Sequence, residues 1–294
     1  MDMRNKSESN GSKLRVAGLR YSIEQADQAI KVAIAFIQGQ QASDIYYGTK
    51  SGGCIVTHSS FQERWLKVKW ALAGQLNRFL WDGELLSIGL EGVSKPRIFG
   101  HFDWEAIGIC YRAVMMSVVP RVISEEHHLD RTPVLEPRWW EQLVDAVVKI
   151  QTKQTDRVFL TEDRLAQRLN ERFGLKLKRP FPYWQTAHGD LRWANLTAPK
   201  FSIIDWETWG RAPYGFDVAY LHALSVSDAQ VLAKIKEVFS AIMAKPAYDI
   251  TFLYSAAKVM RAFDVRGYHE GIQTELCREV ERVLEDRRFA EFCE

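Results

Sequence analysis

The residues with the most chemical potential lie between His188 and Asp217. The run His188-Gly189-Asp190-Leu191-Arg192-Trp193-Ala194-Asn195 is followed by the apolar residues 201–204, by Asp205-Trp206-Glu207, and then by Gly210, Pro213, Gly215 and Asp217. Asp190 and Asn195 stand at the two ends of one short loop, so a carboxylate and an amide oxygen can face one cavity. Residues 201–204 read as a short strand, and Asp205, just past its end, would project into a cleft. Asn195 and Asp205 then offer two hard oxygen ligands. Such a sparse protein shell suits Mg²⁺, whose remaining positions go to phosphate and water. Asp190 stays available to take a proton from a hydroxyl. A base, metal ligands and a cation on the phosphates are what phosphoryl transfer requires.

The interval from Asp190 to Asn195 equals that between the aspartate and asparagine of the protein-kinase catalytic loop. The fuller pattern, HGDxxxxN with an apolar strand and Ile204-Asp205-Trp206-Glu207, resembles the aminoglycoside phosphotransferase and choline kinase family. Gly210, Pro213 and Asp217 resemble that family's continuation, and the Trp-rich stretch from Asp205 to Gly210 resembles a bacterial branch of it. The likeness is concentrated in residues 185–222. HGD in place of HRD, IDWE in place of DFG, and no APE-like segment after Glu207 argue against a protein kinase. A nucleotide-binding regulator without turnover is the other class to weigh. The intact Asp190, Asn195 and Asp205 argue against it.

What the resemblance implies can be stated residue by residue. Asp190 is the catalytic base, and Asn195 and Asp205 bind Mg²⁺. Glu207 holds a second metal through water, orients the site, or is an ordinary surface carboxylate. His188 packs the catalytic loop, and Asp217 braces it through backbone N–H groups. Lys67 is the phosphate-binding lysine on a strand, with Lys69, on the same face, as its competitor. Glu84 from the following helix is its partner, with Glu91 as second choice. Backbone amides of the turn around Gly48, including Gly52 and Gly53, would cover the phosphates. Residues 115–118 form the hinge, where backbone groups of Met116 and Val118 would meet the adenine. Arg192 and Trp193 either shape the acceptor pocket or pack. The hinge lacks the acidic residue common in relatives, so the donor is ATP with GTP as an alternative. The implied partners are a nucleoside triphosphate and a small hydroxylated acceptor, aminoglycoside-like or a choline, amino-alcohol or sugar.

The elements that must position these residues form an α+β, bilobal, protein-kinase-like fold. Residues 1–13 read as a disordered tail. Residues 14–118 read as a small antiparallel-sheet lobe that binds nucleotide, and 119–294 as a larger, mainly helical lobe with the catalytic and acceptor-binding groups. In the first lobe, residues 22–38 have helical spacing, with Ala26, Ile30, Ala33, Ile34 and Ile37 on one face. Residues 46–70 read as three strands with turns between, residues 72–90 as a helix carrying Glu84, and 96–100 as a strand. Residues 107–119 read as one buried strand. In the second, 125–137 is a connector, 138–151 an amphipathic helix, and a basic helical stretch runs on until Pro180 and Pro182 stop it.

Composition bounds the remaining choices. The chain has 294 residues with 47% apolar and 26% charged residues, and a formal charge of +2. That balance gives no pull toward nucleic acid or an anionic membrane. The ten tryptophans could stack on bases, but they sit among apolar neighbours and read as core. Cys54, Cys110, Cys277 and Cys293 form no CxxC pair and no zinc spacing. With no apolar run of spanning length and no signal-peptide core, the expectation is a cytoplasmic protein with reduced thiols, away from membranes. The last thirty residues hold eight acids against five arginines. That excess is too mild to decide whether the acceptor is cationic. Trp206, Trp209, Tyr214 and Tyr220 could cage a quaternary ammonium or pack in the core. Oligomeric state is not encoded in any pattern identified.

Overall fold

The structure, a computed structural model, describes residues 14–16, 19–21, 23–48, 50–125, 129, 131–266 and 270–294. The expected tail, residues 1–13, lies outside them. The chain divides into two compact units, one of residues 1–81 and 96–118, the other of residues 82–95 and 119–294. The last boundary falls after Val118, and a short segment containing Glu84 clusters with the helical unit.

The first unit is a sheet with one helix on it. Strands β1 (Leu14–Val16) and β2 (Leu19–Tyr21) pair as a separate hairpin. Helix α1 (Ile23–Phe36) buries Ala26, Ala29, Ile30 and Ala33, the i, i+3/i+4 stripe of an amphipathic helix. Next come β3 (Gln40–Gln41), β4 (Tyr46–Tyr47), β5 (Ser51–His58) and β6 (Phe61–Leu72). After a 3₁₀ turn, helix α2 (Arg78–Leu86) follows, then β7 (Ile98–Ala106) and β8 (Ile109–Met116). The antiparallel sheet runs β3-β5-β6-β8-β7, with β4 also paired to β5. Its core joins Ala26, Ile30 and Ala33 of α1 to Cys54, Val56, Leu66, Val68, Trp70 and Tyr111 of the sheet.

Two sequence expectations change here. Residues 107–119 are not one buried strand. Ile107 is fully exposed at a two-residue hairpin turn with Gly108, between paired Ala106 and Ile109. Both turn residues have positive φ, 52° and 69°, which gives the primed turn whose twist suits a tight hairpin. The helix expected over 72–90 is shorter, because 3₁₀ turns occupy Ala73–Gln75 and Ser87–Gly89 on either side of α2.

The second unit is helical around a small ribbon. Pro137 opens α3 (Pro137–Gln151), which buries Trp139, Trp140, Leu143, Val147 and Ile150. Thr161 caps α4 (Glu162–Phe173) by accepting from Arg164 N–H. This helix stops at Gly174, earlier than the prolines suggested. Strands β9 (Trp184–Ala187) and β10 (Gly210–Pro213) pair antiparallel around the chemically rich segment. Then follow α5 (Phe216–Ala223), α6 (Ala229–Val238), the short α7 (Ser240–Met243), α8 (Pro246–Arg266) and α9 (Glu270–Asp286). Helix α5 packs along α8. Buried tryptophans fill this core, with Trp139 against Trp193 and edge-on to Trp140 and Phe201. The indole N–H groups of Trp139 and Trp193 are satisfied. Trp139 donates to the Thr197 carbonyl at 2.8 Å and Trp193 to Ser225 Oγ at 2.9 Å. These indoles pack in the core, as expected. Among the described residues, no helix is long and apolar enough to cross a membrane.

Candidate active site

The loop between β9 and β10 is pinned from beneath. The buried Asp217 carboxylate, in the first turn of α5, accepts from the backbone N–H of His188 at 2.7 Å and of Gly189 at 3.0 Å. Burial pushes the Asp217 carboxyl above its ordinary value, while His188 and the two N–H groups act in the other direction. Gly189 has φ +82°, and a Cβ there would lie 2.7 Å from the Thr208 carbonyl oxygen. The His188-Gly189-Asp190 corner therefore requires glycine. His188 is buried edge-on to Trp206. Its Nδ1 accepts from Asp190 N–H at 3.3 Å, and its Nε2 lies 3.1 Å from the Ile204 carbonyl. That pattern sets the Nε2–H tautomer and makes His188 a packed loop residue.

Asp190 and Asn195 come together as their spacing suggested. Asn195, in the 3₁₀ turn Trp193–Asn195, donates its amide to the Asp190 carbonyl at 2.8 Å and to Asp190 Oδ2 at 3.2 Å. This orientation turns Asn195 Oδ1 the other way. Arg192 Nε lies 3.1 Å from Asp190 Oδ2. Trp193, in contrast, is fully buried in the core, so of the two acceptor-pocket candidates it is the packing residue.

Sequence reading did not identify Lys258. Its Nζ lies 3.8 Å from Asp190 Oδ1 and 3.7 Å from the Tyr220 ring centroid, with Phe216 and Phe159 at 5.7 and 5.8 Å. Burial works against its charge, yet Tyr220 and Asp190 hold the ammonium above the ordinary lysine value. The available signal was a single cation in the apolar run Ser255-Ala256-Ala257-Lys258-Val259-Met260 of α8.

The acidic residues form a second group. Carboxylate oxygens of Glu84, Asp205 and Glu207 lie within 4.8 Å of one another. Residues 201–204 do not form the expected strand. Ile203 makes an isolated bridge to Leu196, and the backbone amides of Ile203 and Ile204 donate to the carbonyls of Ser94 and Asn195. Phe201 and Ile203 are anchored in the core, and neighbouring loops take the hydrogen bonds a strand partner would have taken. Asp205 follows in the left-handed region, φ +65°, an uncommon conformation that concentrates at functional sites.

Glu84 reaches this group because α2 touches residues 205–209 directly. A Cβ on Gly83 would lie 2.1 Å from the Glu207 carbonyl oxygen, and Trp209 Nε1 donates to the Gly83 carbonyl at 2.8 Å. Arg157 adds the nearby cation, donating to the carbonyls of Trp209 at 3.0 Å and Glu207 at 3.2 Å. Burial pulls its guanidinium below the ordinary value, with Asp82 opposing. Three carboxylates this close repel one another, and hard oxygen donors are the ligands a divalent cation such as Mg²⁺ takes. The donor set therefore fits the implied metal. Glu84, expected as the partner of Lys67, is also a member of this group with Asp205 and Glu207, and Glu91 is exposed.

Of the expected nucleotide residues, Lys67, Gly52, Gly53 and Met116 lie on the sheet of the first unit. Lys67 and Lys69 share a face of β6. Lys67 is half-buried opposite Gly53. Lys69 is buried, with its ammonium donating to the Leu80 carbonyl at 3.2 Å and facing the Trp81 ring at 5.2 Å. Gly52 and Gly53 are not in a turn. They lie inside β5, paired with Tyr47 and Tyr46 on one side and with Val68 and Lys67 on the other, so their backbones serve the sheet. Met116 ends β8, buried, and Val118 is exposed just beyond it.

The α+β organisation and this site define a protein-kinase-like fold, which is also the fold of aminoglycoside phosphotransferases and fructosamine-3-kinases. No protein-family model and no curated protein matches the sequence. Among solved structures, the chain is similar to an amicoumacin kinase in complex with AMP-PNP and Ca²⁺, at 12% identity over 89% of this chain and 93% of that one, TM-score 0.53. It is similar to a Haemophilus somnus 129PT protein assigned as a fructosamine-3-kinase, at 9% identity over 89% and 98%, TM-score 0.53. It is also similar to APH(2″)-IIIa in complex with GDP and kanamycin, at 13% identity over 89% and 98%, TM-score 0.53. At these identities the likeness is one of fold.

Proposed function

We infer that the protein is a small-molecule kinase that moves the γ-phosphoryl group of Mg-ATP, or GTP, to an acceptor hydroxyl. The observation that carries this reading is the pairing of one loop, Asp190 to Asn195, with the carboxylate group Glu84, Asp205 and Glu207. Asp190 takes the acceptor's hydroxyl proton, that oxygen bonds to the γ-phosphorus, and the bond from γ-phosphorus to the bridging oxygen breaks to release the nucleoside diphosphate. Asn195, Asp205 and Glu207, with Glu84 as a further ligand, would hold Mg²⁺, which supplies charge neutralisation on the phosphates. Asp217 and His188 hold the loop in place. Lys67 is the candidate phosphate cation, and the backbone at Met116 and Val118 the candidate base contact. The reading is in keeping with fold neighbours solved with nucleotides.

The test is nucleoside diphosphate release from Mg-ATP and Mg-GTP across aminoglycosides, choline and ethanolamine, sugars and nucleosides, with Asp190→Ala in parallel. Acceptor-dependent release that vanishes in the variant is expected. Nucleotide binding without any release would favour the regulator. Absence of nucleotide binding would overturn both.

A further inference from the structure

The Asp190 carboxylate has two differently furnished oxygens. Oδ2 receives the Asn195 amide at 3.2 Å and has Arg192 Nε at 3.1 Å. Asn195 in turn meets the metal-ligand segment, because its carbonyl accepts from Ile204 N–H at 2.9 Å. Oδ2 is therefore the oxygen on the candidate metal side. Oδ1 faces Lys258 at 3.8 Å. An acceptor hydroxyl that gives its proton to Oδ1 brings its neighbouring substituents beside the Lys258 ammonium.

Lys258 is built in. It rises from α8 onto the Tyr220 face, with Phe159 and Phe216 nearby. Tyr220 belongs to the aromatic set that could have caged a ligand's quaternary ammonium, and its face already holds the protein's own cation. Trp206 and Trp209 are no substitute, since both are buried and their indole N–H groups donate to the Ile203 and Gly83 carbonyls. Arg192 and Lys258 place one cation beside each oxygen of the Asp190 carboxylate, with the Asp217 carboxylate as the further acid that Lys258 feels, and like charges a few ångströms apart repel strongly where water is scarce. Positive charge beside the reacting group selects for anions and against cations.

From this we propose that Lys258 sets acceptor class: the substrate is a hydroxylated compound bearing a carboxylate or phosphate near the reacting hydroxyl, and polycationic aminoglycosides are excluded. The proposal rests on the phosphotransferase reading, with Asp190 as base. A matched polyol series tests it, gluconate, sorbitol and protonated glucamine, which differ in charge at one end. Turnover with Mg-ATP is measured for each, and the same three compounds are titrated at equilibrium by ligand-observed NMR. Charge preference is then read whether or not phosphate moves. The expected order is anion, neutral, cation, with tenfold or more in kcat/KM or Kd between the ends. Lys258→Met keeps the stem on Tyr220 and removes the charge. It is expected to flatten the order mainly through KM, with the KM for ATP unchanged, while Lys258→Arg keeps the order. Four results would overturn the proposal: a cation-first order, no charge preference in either measurement, the order intact in Lys258→Met, or a raised KM for ATP in that variant, which would assign Lys258 to the nucleotide phosphates. Failure of the phosphotransferase reading looks different: the NMR order persists and depends on Lys258, but no acceptor stimulates diphosphate release.

Discussion

The loop from His188 to Asn195 and the acid group of Glu84, Asp205 and Glu207 are held by opposite means. The loop is clamped by hydrogen bonds: two backbone N–H groups on Asp217, two ring contacts on His188, and the Asn195 amide on Asp190. The acid group is held by close packing. A helix glycine lies against a carbonyl, an indole fixes the contact, and Asp205 sits at positive φ. The first device fixes the Asp190 carboxylate, the proposed proton acceptor, in one geometry. The second brings together like charges that nothing in their own chemistry would gather. Damage to the loop should thus act on chemistry first, and damage to the packing on metal and nucleotide first.

The largest effect is expected at Asp190. Asp190→Asn keeps the shape and removes the base, so turnover should fall about 10²- to 10⁴-fold with Mg-nucleotide affinity retained. Turnover near that of the wild type would break the division. Next is Asp217→Ala, which strands two buried N–H donors. Each hydrogen bond to a charged group is worth about 1.5–3 kcal/mol, so a loss of roughly 3–6 kcal/mol in denaturant midpoint analysis is expected, and less for Asp217→Asn, which keeps one acceptor. Equal stability of the three proteins would show that the clamp is idle.

Gly83→Ala probes the packing device. A methyl group 2.1 Å from a carbonyl oxygen must force the segments apart, at about 1–3 kcal/mol. The Mg²⁺ requirement for nucleotide binding should shift to higher concentration, while a loop variant such as Asp190→Asn leaves it in place.

The smallest effect lies far from the site and sets the pH range in which the comparison can be made. His222 is buried, with Nδ1 3.1 Å from the Tyr248 hydroxyl and Nε2 3.7 Å from Glu279. Burial holds its imidazole below the ordinary 6.5, with Glu279 opposing. The unfolded chain then binds the proton first as pH falls, so stability declines below about pH 6.5. His222, Lys236 and Arg282 hold the Glu279 carboxyl well below its ordinary 4.5, so its stabilising effect is present above that pH and is lost in stronger acid. Melting temperature should drop between pH 7 and 5.5, less so in His222→Gln. Parallel curves would remove His222 from the account.

What the sequence disclosed follows the same division. Asp190 and Asn195 are joined by a single short loop, so residue type and spacing suffice to put them together, and the strongly patterned α1 and α3 were equally plain. Of the acid group, Asp205 and Glu207 read as metal candidates from the sequence, but the place of Glu84 beside them was not legible, because it reaches them only through the contact at Gly83, and a glycine within a helix names no neighbour. Lys258 reaches Asp190 through the packing of α8 on α5, which no local pattern carries. Residues 201–204 have strand-like composition, but their hydrogen bonds go to loops. β10, made of Gly210-Arg211-Ala212-Pro213, carries no strand-like alternation and yet pairs with β9.

The most direct measurement is the Mg²⁺ dependence of ATP affinity in the wild type, Asp190→Asn and Asp205→Asn, by equilibrium titration. The account predicts the same Mg²⁺-dependent affinity in the wild type and Asp190→Asn, and its loss in Asp205→Asn. Equal loss in both variants, or Mg²⁺-independent binding in the wild type, would contradict it.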